Sequence, residues 1–170
     1  DLDAEMLVVA SQKYPGITFH QADMVEFDLG KQFDVITCLF SSIGYVKTKA
    51  RLESAIQTMT DHLLPGGVLI VEPWFTLEQW KPGRVSALFV DQPELKIARM
   101  NISEVDGRLS FFVFHYTVAT PQGVEYFTER HELGLFTPDE YLEAFRKANL
   151  TVIHEPIGLD GRGLYIGLKS

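Results

Sequence analysis

Glu72 directly follows the apolar run Val68-Leu-Ile-Val71, Tyr45 closes Phe40-Ser-Ser-Ile-Gly-Tyr45, and Asp23 lies in Gln21-Ala-Asp-Met24. A carboxylate just past a strand can hold an ammonium or a hydroxyl, and a Tyr, His or Glu can accept a proton directly or through water. His115, in Phe111-Phe-Val-Phe-His115, is a third titratable candidate, although a histidine on such a strand is more often a core or edge residue. Arg162, between two glycines, and Arg130 are candidates for anion binding, because guanidinium pairs bidentately with phosphate oxygens. Arg130 reads better as a salt-bridged sheet residue. His20, His62, His131 and His154 are too scattered to suggest a metal site, and none is assigned.

The elements that must position these groups are short. Phe33 to Phe40 and Val68 to Val71 are nearly unbroken apolar runs bounded by turn residues, which suits parallel strands covered on both faces. Between them Leu52, Ala55, Ile56, Met59 and Leu63 recur at helical spacing, completing a strand, helix, strand unit. A right-handed crossover brings both strand C-termini to one edge, where doubly wound sheets bind nucleotides. Ser41, Ser42, Gly44, Tyr45, Glu72 and Trp74 are therefore expected as neighbours.

With 170 residues and 46% hydrophobic content the chain can bury one core, which favours a single domain over residues 1–170. A formal net charge of -8 and the lack of a basic stripe argue against a nucleic-acid partner. Cys38 is the one cysteine and reads as a buried thiol, which leaves neither a disulfide framework nor a thiolate cluster. No apolar stretch reaches the roughly 18 to 20 residues that span a bilayer, and no signal pattern opens the chain. A cytoplasmic protein that does not enter membranes is the expectation.

Asp3 is a plausible N-cap for a helix ending near Tyr14-Pro15-Gly16, and Ile17 to Gln21 reads as a short strand. From residue 93 to 136 the pattern turns β-branched and aromatic. Leu109 to Val118 and Val124 to Phe136 form an antiparallel hairpin, preceded by a strand over Lys96 to Val105 that turns at Asp106-Gly107. Thr137 caps a helix that starts at Pro138 and runs through Ala148, and two strands, Thr151 to Pro156 and Gly163 to Leu168, follow.

Taken in order, Asp1-Leu-Asp-Ala-Glu-Met-Leu7, Gln21-Ala-Asp-Met24, Phe33-Asp-Val-Ile36 and Leu64-Pro-Gly-Gly67 resemble the landmarks of class I S-adenosylmethionine-dependent methyltransferases. Phe40-Ser-Ser-Ile-Gly-Tyr45, Val71-Glu-Pro-Trp74, the antiparallel insertion and Gly161-Arg-Gly-Leu164 look, more narrowly, like the N-methyltransferases of nucleotide-linked amino sugars, the desosamine and mycaminose type. The resemblance implies an α/β, Rossmann-like doubly wound sheet with an antiparallel β insertion. That family's first strand and glycine-rich loop should lie upstream of Asp1, so the domain is expected to be N-terminally incomplete here.

What the resemblance implies for individual residues is specific. Asp1 would accept from the ribose hydroxyls of S-adenosylmethionine, Asp23 from the adenine amino group with Met24 bordering the ring, and Phe40 and Ser41 would line the methionine part. Ser42, Trp74 and Arg162 would face the acceptor, while Tyr45, Glu72 and His115 are candidates for taking a proton from an ammonium before transfer. Much of the catalysis can come from proximity, because no protein nucleophile is needed. The methyl acceptor is expected to be a small molecule, an amine on a nucleotide-linked sugar. The alternatives are an O- or C-methyltransferase on another small molecule, and a non-catalytic subunit that forms a homodimer through the Phe-rich insertion. A Rossmann dehydrogenase fits the Asp-Met strand end and the long insertion less well.

Overall fold

Strands β1 (Phe33–Cys38) and β2 (Leu63–Val71) pair in parallel, and their ends are level: Cys38 lies opposite Val71 and the Glu72 amide donates to the Cys38 carbonyl at 2.9 Å. The computed structural model describes residues 1–170. Helix α2 (Lys49–Asp61) joins the two strands, its first turn closed by the Thr48 hydroxyl accepting from the Arg51 amide. Leu52, Ala55, Ile56 and Met59 are buried at the expected helical spacing.

The rest of the central sheet comes from much later in the chain. β8 (Leu164–Lys169) inserts antiparallel beside β2, and β7 (Leu150–Glu155) lies outside it, giving the order β1-β2-β8-β7. Helix α3 (Pro138–Lys147) begins with a capping box in which Thr137 and Glu140 satisfy each other's backbone amides. It packs so closely on β8 that a Cβ at Gly167 would stand 2.6 Å from the Phe145 ring. Tyr141, Phe145, Tyr165 and Leu69 meet the α2 residues in one buried cluster. The opposite face of the sheet is less covered than its unbroken apolar runs suggested, since Val35 is 55% and Leu168 is 47% exposed.

Four strands, not three, build the antiparallel sheet: β3 (Val85–Gln92), β4 (Leu95–Asp106), β5 (Leu109–Thr120) and β6 (Gly123–Gly134), paired in chain order. The sheet thus starts ahead of residue 93. The expected strand over Ile17 to Gln21 does not form. The Ile17 amide donates to the Tyr14 carbonyl at 3.1 Å, and next to Asp1 the backbone makes two bonds, from the Asp1 nitrogen to the His20 carbonyl at 3.1 Å and from the Ala22 amide to the Asp1 carbonyl at 3.0 Å. Helix α1 (Ala4–Lys13) forms where Asp3 predicts it, with the Asp3 carboxylate accepting from the Glu5 and Met6 amides, but buries no residue. No helix is long and apolar enough to cross a membrane.

Candidate active site

Immediately after β1 the chain makes an abrupt turn, because Phe40 and Ser41 both take left-handed backbone conformations (φ 52° and 59°). Such a pair of non-glycine residues is strained and must be held by its surroundings. Glu72 does the holding: its Oε2 accepts from the Phe40 amide at 2.6 Å, and the Ser41 hydroxyl donates to the Pro73 carbonyl at 2.7 Å. Turning this way leaves the Phe40 ring 83% exposed at the rim while Ser41 is buried. The Ser42 hydroxyl donates back to the Leu39 carbonyl at 2.9 Å and starts a 3₁₀ turn over Ser42–Val46.

The other oxygen of Glu72 receives Arg162 Nη2 at 2.7 Å, and the same nitrogen donates to Asp160 at 3.0 Å. Because β8 runs antiparallel to β2, the loop before Leu164 reaches the rim where β2 ends, and Arg162 arrives there across 90 residues of sequence. One expectation changes here. Glu72 is 1% exposed with both oxygens engaged, so it positions the Phe40-Ser41 turn and does not present a base to the cleft. Arg162 closes an ion-paired loop through Nη2, while its Nε is buried without a hydrogen-bond partner, so the guanidinium keeps donors beyond the two carboxylates.

The 3₁₀ turn carries Tyr45 to the inner face of the antiparallel sheet. A Cβ at Gly44 would lie 2.9 Å from Leu133 and 3.1 Å from Trp74, so the absence of a side chain lets the turn dock between β6 and Trp74. Trp74 donates to the Ser110 hydroxyl at 2.8 Å and stands in an aromatic group with Phe75, Trp80 and Phe112. Tyr45 Oη lies 2.6 Å from His131 Nδ1, and the His131 ring stacks on Phe112 at 5.2 Å. Burial, and then the Glu129 carboxylate, push the Tyr45 phenol above its ordinary range.

His115 does not join this group. Ser110 and Phe112 face Trp74, and the pleat sends His115, an odd-numbered neighbour on β5, to the opposite face, where it is exposed and meets Tyr126 Oη at 2.6 Å. The histidine near Tyr45 is His131, set opposite Phe112 by the β5–β6 register. His131 is 86 residues from Tyr45, so only the register of β5 and β6 could have revealed it, and no local motif encodes that. Arg130 matches its reading as a sheet residue, with Nε donating to Glu132 at 2.8 Å.

At the other end of the rim Asp1 and Asp23 are brought close by the backbone pairing of Asp1 with His20 and Ala22. One Asp1 oxygen accepts from the Asp3 amide at 2.9 Å. Asp23 accepts from the Val25 amide at 3.1 Å and from Arg51 at 2.7 Å, and these two donors hold its carboxyl below the usual range. Met24 packs against the core. A carboxylate offers about four acceptor positions, so both acids keep room for further donors.

A methyltransferase domain matches residues 1–67. Over 171 aligned residues the chain is 40% identical to dTDP-3-amino-3,4,6-trideoxy-alpha-D-glucopyranose N,N-dimethyltransferase of Streptomyces venezuelae, covering 100% of this chain and 72% of that protein. The chain is one of the S-adenosylmethionine-dependent amino-sugar N-methyltransferases. A further relative of this methyltransferase, dTDP-3-amino-3,6-dideoxy-alpha-D-glucopyranose N,N-dimethyltransferase of Streptomyces fradiae, is 39% identical, with 100% of this chain and 67% of that protein covered. Among solved structures the methyltransferase superposes on Streptomyces venezuelae DesVI with a TM-score of 0.95 at 39% identity, over 100% of this chain and 72% of that one. It superposes on CalS10 of Micromonospora echinaspora, an amino pentose methyltransferase solved with S-adenosylmethionine bound, with a TM-score of 0.89 at 34% identity and the same coverage.

Proposed function

We propose that this methyltransferase transfers a methyl group to the amine of a nucleotide-linked amino sugar, with the acceptor lying against Trp74, Ser42 and Tyr45. The observation that carries this reading is the wall formed by Trp74, Phe112, Tyr45 and His131 beside the Phe40-Ser41 turn. The residues present fit the cofactor: Asp1 and Asp23 retain acceptor positions for ribose hydroxyls and an adenine amino group, and Met24 lies beside Asp23. Phe40 offers an exposed aromatic surface, and the buried Ser41 fixes the turn behind it. The bound sulfonium supplies an electrophilic methyl group and leaves as a neutral thioether.

The residues of the chain then have two tasks. Glu72 and Arg162 hold the Phe40-Ser41 turn, which orients the reacting centres, and proximity of that kind is worth several kcal/mol. Tyr45 stands where an ammonium must lose its proton before its nitrogen has a lone pair to offer. The nucleotide-linked acceptor and the charged methyl donor are both water-borne, which supports a cytoplasmic setting. The names of the relatives favour the amine over an oxygen or carbon acceptor.

A homodimer belongs to this proposal as well. On the face of the antiparallel sheet turned away from Trp74, Phe89, Met100, Val124 and Tyr126 are 69%, 47%, 71% and 64% exposed. An apolar face of this kind suits a second copy of the chain. The deciding experiment is titration of S-adenosylhomocysteine into the protein together with any segment that precedes Asp1, followed by incubation with S-adenosylmethionine and dTDP-linked amino sugars under mass-spectrometric readout. Micromolar binding and products heavier by one or two methyl groups are expected. Binding without methylation of any amine would favour an oxygen or carbon acceptor, and a dimer that ignores the cofactor would favour a non-catalytic subunit.

A further inference from the structure

We propose that His131 and Glu129 form a proton relay behind Tyr45, so that the amine-activating group is the Tyr45–His131–Glu129 chain and not Tyr45 alone. This inference rests on the amine-methylating reading above and deepens it. Three distances carry it. Tyr45 Oη and His131 Nδ1 are 2.6 Å apart, the buried His131 Nε2 lies 3.1 Å from Glu129 Oε1, and the second oxygen of Glu129 accepts from the Tyr116 hydroxyl at 3.3 Å. Nε2 is buried and makes no hydrogen bond, and that carboxylate is the charged group within ion-pair distance of it.

The tautomer follows from the partners. The phenol stays protonated and donates to a bare Nδ1 in the proposed relay, which puts the ring proton on Nε2, the nitrogen 3.1 Å from the acceptor-only Glu129 carboxylate. The His131 ring packs against two aromatic neighbours, stacked on Phe112 at 5.2 Å and edge-on to Phe114 at 5.1 Å. Of the remaining charged groups, Arg99 lies over the Phe114 ring at 4.2 Å, and Lys47 is drawn off by Glu132 at 2.9 Å. Glu129 is thus the carboxylate that faces the ring.

A lone Tyr45 would be a poor base, since its neighbourhood keeps the phenol protonated. With His131 behind it the step balances. An N–H bond of the substrate ammonium breaks and its proton joins Tyr45 Oη, while the former Tyr45 O–H bond breaks and that proton joins His131 Nδ1. The electron pair stays on the substrate nitrogen. The positive charge moves to the imidazolium, beside the Glu129 carboxylate, and the proton later leaves to water. Tyr45 is the catalytic group, and His131 and Glu129 act through it.

The test combines pH profiles with ring nitrogen spectroscopy on the intact chain. In His131→Gln and in Glu129→Gln, kcat at neutral pH is expected to fall about 10- to 100-fold, less than the roughly 100- to 10,000-fold that general acid–base catalysis contributes, because Tyr45 itself remains. KM should stay within about two-fold. The deficit should shrink as pH rises, because solution then supplies the neutral amine, and the curves should converge near the titration of the substrate amine. Nitrogen NMR of the unmodified protein should show His131 protonated at Nε2 and bare at Nδ1. A proton found on Nδ1, or a rate loss that is the same at every pH, overturns the relay. Should His131→Gln fail to fold, Glu129→Gln alters a half-exposed carboxylate and gives the same readout. If the unmodified protein binds S-adenosylhomocysteine yet methylates no amine, the underlying reading falls and the relay with it. If it methylates amines and both variants keep the unmodified pH profile, the relay alone falls.

Discussion

Burial shuts Cys38 away from solvent, and desolvation pushes its thiol up to about 11. Only the thiolate is a good nucleophile, so Cys38 is expected to resist a thiol-specific disulfide reagent at pH 8 until denaturant is added. Rapid labelling of the folded protein would contradict that. Glu72 offers a sharper residue-level expectation. Glu72→Gln keeps an oxygen for the Phe40 amide but leaves Arg162 half-paired, and breaking a buried pair costs about 3 kcal/mol or more. Thermal melting should report that loss, and affinity for S-adenosylhomocysteine should fall with it as the Phe40-Ser41 turn loosens. Lost turnover with stability and cofactor affinity intact would return Glu72 to a direct role in the chemistry. The rim location of Glu72 was readable from its place after Val71, whereas its engagement was not. That depends on Arg162, which approaches only because β8 pairs beside β2.

Capping decides how α3 is seated. Thr137→Ala removes one half of the capping box and is expected to cost about 1 kcal/mol in a denaturant titration. Glu140 also takes Arg108 Nη1 at 2.8 Å, which ties the turn between β4 and β5 to the start of α3. That guanidinium, above all, holds the Glu140 carboxyl below its ordinary 4.5. A carboxyl depressed in the folded state contributes stability above about pH 4.5 and loses it as pH falls through the lower folded value. Glu140→Gln should therefore flatten the acid limb of the stability curve below about pH 4.5, and an unchanged limb would count against the pairing. Elements with a single dominant signal were legible: α2 and α3 by their spacing and caps, β1 and β2 by their apolar runs. β3 was not, because Val85, Leu88 and Phe89 are exposed at 73%, 43% and 69%, so its two faces leave no burial contrast in the sequence. Ile17 to Gln21 has strand-like residues and is bonded to Asp1 at its end, but its residues carry no strand assignment.

For the whole molecule, the sheet that walls the site on one face carries Phe89, Met100, Val124 and Tyr126 on the other. Light scattering is expected to give twice the chain mass, and the double substitution Phe89→Asp with Tyr126→Asp should return it to one copy while cofactor binding persists. A monomer before substitution would remove the dimer. Alternation along β5 and β6 made this two-faced sheet readable, but which face meets the site was set by the docking of the 3₁₀ turn against Leu133 and Trp74. For that reason His115 was expected in the site and His131 was found there.

The position of β8 also has a bearing on how the molecule is made. Glu72 and its counter-charge are separated by 90 residues, and the strand that delivers Arg162 sits in the interior of the sheet order. During synthesis β1, α2 and β2 leave the ribosome well before β8 and meet with a buried-to-be carboxylate still facing water and a slot open beside β2. Contacts of such long sequence separation form late and slowly. A nascent chain paused before Leu164 would therefore hold the Phe40-Ser41 turn only loosely, and the ability to hold the methyl donor should appear abruptly, once β8 has emerged and closed the slot.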